Sequence, residues 1–128
     1  INSSDVVSLI KKSIIFLQVL KSFKKLHRTR LKVFEGDTLT LNAGRAMIND
    51  EFRKNKHVSE EGAITALIKL AEDVEVEVRT RVIQAKEVKP GVYAAKITED
   101  TIKMDNVEFD ENAILPKPRG KCGTVKEK

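Results

Sequence analysis

The stretch VLKSFKKLHRTRLKVF, Val19 to Phe34, separates two kinds of side chain around a helix. Val19, Leu20, Phe23, Leu26, Leu31 and Phe34 recur at steps of three and four, which gathers them onto one broad face. Lys21, Lys24, Lys25, Arg28 and Lys32 mostly occupy the remainder. A lone helix of this length is marginal in water, so the apolar face requires further amphipathic helices to cover it.

Those helices can be read downstream. The first helix is predicted over residues 14–34 and stops at Glu35-Gly36-Asp37, where Gly36 can take the left-handed backbone that ends helices. Asp37 or Thr38 then caps a second helix over 39–54, with Leu41, Gly44, Ile48 and Phe52 on one stripe and Ala43 and Met47 widening it. After a polar connection at 55–58, Ser59-Glu60-Glu61 opens a third helix over 60–84, its acids at the positive end of the macrodipole. Ile64, Leu67, Ala71, Val74, Val78 and Val82 continue at three- and four-residue spacing. Val74, Val76 and Val78 are β-branched, but Glu75 and Glu77 fall within the continuous 3.6-residue pattern, which favours helix. The expected fold is all-α: an antiparallel three-helix bundle over residues 14–86, with Phe23, Leu26, Ile48, Phe52, Leu67, Ala71 and Val74 in its core.

On either side the pattern weakens. Residues 1–13 form an N-terminal extension, read as an extra turn or two on the first helix. It opens without an initiator Met, as a truncated start would, and its Lys-rich, acid-poor character is compatible with mitochondrial import. The run IIFLQVL is shorter than the ~18 residues a membrane span needs, so no span is expected. Residues 87–128 form a largely irregular C-terminal extension. Pro90-Gly91 marks a turn, 92–109 short extended or helical pieces, and Pro116, Pro118, Gly120 and Gly123 a partly disordered tail.

Composition narrows the function. The 128 residues suit one domain, and with five Phe, one Tyr and no Trp the core must be built from Leu, Ile, Val and Ala. The net charge of +5 is concentrated: residues 1–34 hold eight Lys or Arg against the single acid Asp5, which implies an acidic partner, whether protein, nucleic acid or lipid. Cys122 is alone, so no internal disulfide can form and a reducing compartment is the simpler reading. With two His and one Cys far apart in sequence, no zinc or iron-sulfur ligand set of about four donors is available, and no cofactor is expected. No nucleophile and base pair or phosphate loop is visible, which argues against an enzyme. Nucleic-acid binding is also disfavoured, because no zinc knuckle, helix-turn-helix pattern or aromatic stacking platform accompanies the charge.

Leu26-His27-Arg28, followed by Thr29, Arg30, Phe34 and Asp37 and then by Ala43, Arg45, Ile48 and Phe52, resembles the mitochondrial LYR protein family. The likeness is nearest to the branch that assists assembly of the Rieske iron-sulfur subunit of respiratory complex III. A bare Leu-x-Arg recurs by chance in many helices; the run LHRTRLKVFEGD with Arg45 and Phe52 downstream is far more specific. The signature tyrosine is replaced by His27.

The resemblance implies a mitochondrial matrix chaperone that holds the Rieske subunit while its cluster is inserted. It further implies an acylated mitochondrial acyl carrier protein, whose acyl arm enters the bundle, and a J-type iron-sulfur co-chaperone as partners. Other members support cysteine desulfurase, complex I or complex II, and these stand as alternatives. The residues so implicated in partner binding are Leu26, His27, Arg28, Arg30, Phe34, Arg45 and Phe52. Leu26, Phe34 and Phe52 also sit at core spacing, and the arginines suit carboxylate pairing across an interface.

Overall fold

The computed structural model describes residues 2–105, 109–112 and 114. Within them the chain is mostly helical: α1 (Ser3–Val33), α2 (Thr38–Lys54) and α3 (Glu61–Arg81) are followed by a small hairpin of β1 (Ala85–Lys89) and β2 (Val92–Ala95). The helical expectation therefore holds for three helices, and the all-α expectation gains one two-stranded sheet. The partly disordered tail expected from Pro116 onward, with Cys122, lies outside the described residues.

α1 runs from Ser3, well before the expected start at 14, because no Gly or Pro interrupts residues 3–14. Its inward seam is Ile15, Val19, Ser22, Leu26, Thr29 and Val33, alternating steps of four and three. Leu20 and Leu31, expected on this face, are exposed at 37% and 54%. Two hydroxyl residues take inward positions that the sequence reading gave to leucines: Ser22 donates to the Val19 carbonyl at 2.9 Å, and Thr29 reaches across to α3.

The ends of the helices follow from local chemistry. The Phe34 N–H donates to the Arg30 carbonyl at 3.1 Å, and Gly36 at φ 86° reverses the chain where a side chain would strain it. Asp37 caps α2 by accepting from the Thr40 N–H at 3.0 Å. The hairpin turns at Pro90-Gly91, with Gly91 at φ 75°, its N–H donating to Glu87 Oε1 at 3.0 Å. Its strands pair antiparallel, Ala85 with Ala95 and Glu87 with Tyr93, and every strand residue is exposed.

Both α2 and α3 pack on α1, and they make no close backbone approach to each other. Along α1, Phe23 meets Phe52, His27 meets Asn49, and Arg30 meets Leu41, while Thr29 meets Glu75. The core is thin. Among the described residues Leu26 is the one fully buried apolar side chain; Phe23, Ile48, Phe52, Leu67 and Ala71 are half-buried. Val74, expected inside, is 45% exposed. The seam of α3 is Ile64, Ile68, Ala71, Glu75 and Val78, so the position at the correct step from Ala71 is Glu75, one residue beyond Val74.

Candidate functional site

The signature Leu26-His27-Arg28 lies on the C-terminal half of α1, and its residues point in different directions because successive positions on a helix are separated by about 100°. Leu26 is in the core. His27 sits at the α1–α2 seam. Its Nε2 pairs with Asn49 Oδ1 at 3.0 Å, and its Nδ1 faces Arg30 Nε at 3.3 Å. A guanidinium can only donate, so Nδ1 accepts and the ring hydrogen on Nε2 is the one given to Asn49. The edge of the imidazole also meets the Phe23 ring, centroids 4.6 Å apart, and Phe23 in turn meets Phe52 at 5.0 Å; both pairs are T-shaped. The imidazole makes this connection through two separate ring nitrogens, where a phenol has a single oxygen.

Arg30 continues the clamp. Its Nη1 donates to the Leu41 carbonyl at 2.8 Å, reaching across to α2. Gly44 makes this approach possible: a Cβ there would lie 3.0 Å from Arg30 Cδ. Arg30 is thus committed to an internal contact. Arg28 and Arg45 differ, being exposed and making no hydrogen bond or ion pair among the described residues. Phe34 is half-buried at the end of α1, and Phe52 is half-buried on α2.

A second polar cluster, which the sequence reading missed, joins α1 to α3. The Glu75 carboxylate is 1% exposed; Oε1 accepts from the Thr29 hydroxyl at 2.7 Å and from Arg79 Nε at 3.0 Å. Its Oε2 accepts no hydrogen bond, and the Lys25 ammonium stands 3.4 Å from it. Burial alone would raise the pKa of this carboxyl, but Thr29, Arg79 and Lys25 together outweigh burial and hold it below the ordinary 4.5. Asp100 extends the cluster, pairing with Lys32 at 3.1 Å and with Arg79 Nη1 at 3.3 Å, and the Lys32 hydrogen bond is the main cause that lowers its pKa. A signal for Glu75 existed in the step of four from Ala71 and of three to Val78, but its charge removed it from an apolar count.

Near these groups, Lys32, Val33, Arg79, Val82, Gln84, Lys96, Thr98 and Thr101 enclose a cavity of about 20 Å³, room for a water molecule. No group of three His, Cys, Asp or Glu gathers in metal-binding geometry among the described residues.

A central basic helix is clamped to one neighbour by His27 and Arg30 and offers Arg28 to solvent, an arrangement of a small helical protein held together around α1. The family model described as "Complex 1 protein (LYR family)" matches residues 17–75. A relative from Xenopus tropicalis, named Complex III assembly factor LYRM7, is 40% identical over 93 residues, covering 73% of this chain and 88% of the relative. The chain belongs to the LYR family. Its counterpart of the same name from Danio rerio is 47% identical over the same length and coverage, and that from Bos taurus is 49% identical over 67 residues, 52% of this chain and 64% of the relative. No solved structure matches the chain.

Proposed function

We propose that this protein is a non-enzymatic mitochondrial matrix chaperone that holds the Rieske iron-sulfur subunit during cluster insertion and complex III maturation. The observation that carries this reading is Arg28 of the signature, exposed and without a pair among the described residues, on a chain whose relatives are named complex III assembly factors. The iron-sulfur cluster is cargo of the client and not a resident cofactor.

In this reading the helices form an antiparallel bundle, which the order of contacts supports: Phe23, His27 and Arg30 ascend along α1 while Phe52, Asn49 and Leu41 descend along α2. Leu26, Phe34 and Phe52 maintain the frame. His27 and Arg30 fix the spacing of α1 and α2, and Arg28 and Arg45 meet acidic groups on partners. The J-type co-chaperone engages the exposed Arg28 of the signature turn. The basic face of α1 suits an acidic acyl carrier protein, whose fatty chain enters between α2 and α3, which rest on α1 without closing on each other.

Affinity capture of the tagged chain from mitochondria tests this. Enrichment of the Rieske subunit together with acyl carrier protein is the expected result. A desulfurase or a complex II subunit in its place would overturn the client assignment and leave family membership standing.

A further inference from the structure

The N-terminal part of α1 carries an apolar face that nothing in the fold covers. With Thr29 opposite Glu75, counting back the same number of residues brings Glu61, the start of α3, level with Ile15, so Ser3–Ile14 extends past the other helices. At about 100° per residue, Val6, Leu9, Ile10, Ile14, Phe16 and Leu17 spread over an arc of about 160°, with Ser13 the one polar position among residues 6–17 that falls inside it. They are 43 to 63% exposed. This arc lies on the far side of α1 from the seam of Ile15, Val19, Ser22 and Leu26, so α2 and α3 do not obstruct it.

Charge is distributed around this face in a defined way. Lys12 and Lys11 flank it, about 40° and 60° beyond its two borders, and Lys21, Lys24 and Arg28 continue the same side of the helix toward its C-terminus. None of the five makes an ion pair among the described residues, whereas Lys25 and Lys32 are engaged by Glu75 and Asp100.

We infer that this face of α1 docks on the surface of an anionic lipid bilayer, with the apolar arc inserted at the headgroup boundary and Lys11, Lys12, Lys21 and Lys24 on lipid phosphates. A surface helix packed on one partner helix shows an apolar stripe of roughly 100°; an arc about one and a half times as wide suits a flat apolar medium. A second copy meeting α1 face to face would bring one acid, Asp5, against five cations, and so leaves the charge unmatched. Bilayer phosphates match it, and long lysine stems at the borders reach headgroups while their neighbours insert. No described helix is long and apolar enough to cross a membrane, which agrees with a helix lying in the interface plane.

The test is co-sedimentation of the full chain with vesicles of phosphatidylcholine alone or mixed with phosphatidylglycerol, alongside sedimentation velocity without lipid. Expected is partition onto the mixed vesicles, weakened by salt and much weaker on neutral ones. The double substitution Lys21→Glu/Lys24→Glu is expected to reduce partition by about 30-fold or more, near 1 kcal/mol per cation removed and more for reversal. Ile10→Ser/Leu17→Ser is expected to lower it by about 10-fold or more. Both variants change exposed positions, and unchanged thermal unfolding verifies that they fold. Absence of partition, equal partition of neutral and anionic vesicles, or indifference to both variants overturns the proposal. So does a dimer abolished by Ile10→Ser/Leu17→Ser, which assigns the face to a second copy, or retention of an acidic protein on this face without vesicle binding.

Discussion

Thr29 on α1 and Glu75 on α3 are joined by a 2.7 Å hydrogen bond at the most enclosed point of the fold, where they are 8% and 1% exposed. In this protein the packing of two helices is fixed by a hydroxyl and a carboxylate beside a single buried leucine. The carboxylate tolerates this place because Arg79 and Lys25 bring positive charge to it from partly solvated positions.

Removing that carboxylate leaves the Thr29 hydroxyl and the Lys25 ammonium without it, while Arg79 keeps Asp100. Glu75→Ala is expected to cost about 1 to 3 kcal/mol, the range for groups left unsatisfied. The loss stays below that of a fully buried pair because Lys25 is 51% and Arg79 31% exposed and both can rehydrate. Urea unfolding at neutral pH measures it; a loss below a few tenths of a kcal/mol would mean that the seam does not depend on Glu75.

The same group sets a pH dependence. Its folded pKa lies below 4.5, so its contribution is complete above about pH 4.5 and is lost as pH falls through the lower folded value. Glu75→Gln removes this titration. The stability gap between wild type and Glu75→Gln is therefore expected to be largest near neutral pH and to shrink in acid. Comparing the two proteins cancels the similar behaviour of Asp37 and Asp100, whose pKa values are also lowered. A gap that widens on acidification would contradict the assignment.

How much of this was legible follows the polarity of each residue. Helices were readable from apolar rhythm and from the punctuation at Gly36 and Asp37, and their ends lie within a few residues of expectation except at the start of α1; at α3 the N-cap is Glu60 rather than Ser59, with no side-chain cap hydrogen bond. Facing was harder: Ser22, Thr29 and Glu75 occupy seam positions, and an apolar count assigns their places to Leu20, Leu31 and Val74, which are exposed. The hairpin was legible only as a turn, because none of its residues is buried and no alternating face exists to reveal strands. At the signature, the sequence grouped Arg28, Arg30 and Arg45 as equivalent cations. Long-range geometry separates them, since only Arg30 is opposite Gly44 and within reach of the Leu41 carbonyl.

Phe52 and Phe23 meet edge to face at 5.0 Å, and both are half-buried. Full enclosure would make Phe52→Ala cost ~3 to 5 kcal/mol; with part of the ring already in water, about 2 kcal/mol is expected, including the aromatic pair. Thermal or urea unfolding decides between these values and a surface ring, for which the change would be near zero.

Gly44 and Arg30 form a coupled pair. In a helix interior Gly→Ala is favourable by about 1 kcal/mol, but here the added Cβ would meet Arg30 Cδ at 3.0 Å. Gly44→Ala alone is expected to gain less than this, because Arg30 Cδ must give by a few tenths of an ångström and the hydrogen bond to the Leu41 carbonyl is strained as it does. In an Arg30→Ala background the same substitution is expected to stabilise by about 1 kcal/mol. A double-mutant cycle reads the difference, and equal effects in both backgrounds would show that the two side chains do not touch.

Arg28 is the residue that separates docking from folding. Leu26 is buried, and His27 and Arg30 hold α1 to α2, so lost binding after substituting any of them has two explanations. Arg28 projects about 200° around the helix from Leu26, is exposed, and has no partner within the described residues. Arg28→Ala is therefore expected to leave unfolding within ~0.5 kcal/mol of wild type, as surface substitutions usually do. If it meets an acidic group on the Rieske subunit, the co-chaperone or the acyl carrier protein, the same change weakens capture of that partner. Arg28→Lys keeps the charge and removes the planar fork, so a bidentate contact is expected to weaken with Lys as well, whereas long-range attraction is retained. Full capture of all three partners by both folded variants would mean that the signature arginine is not a contact in this protein.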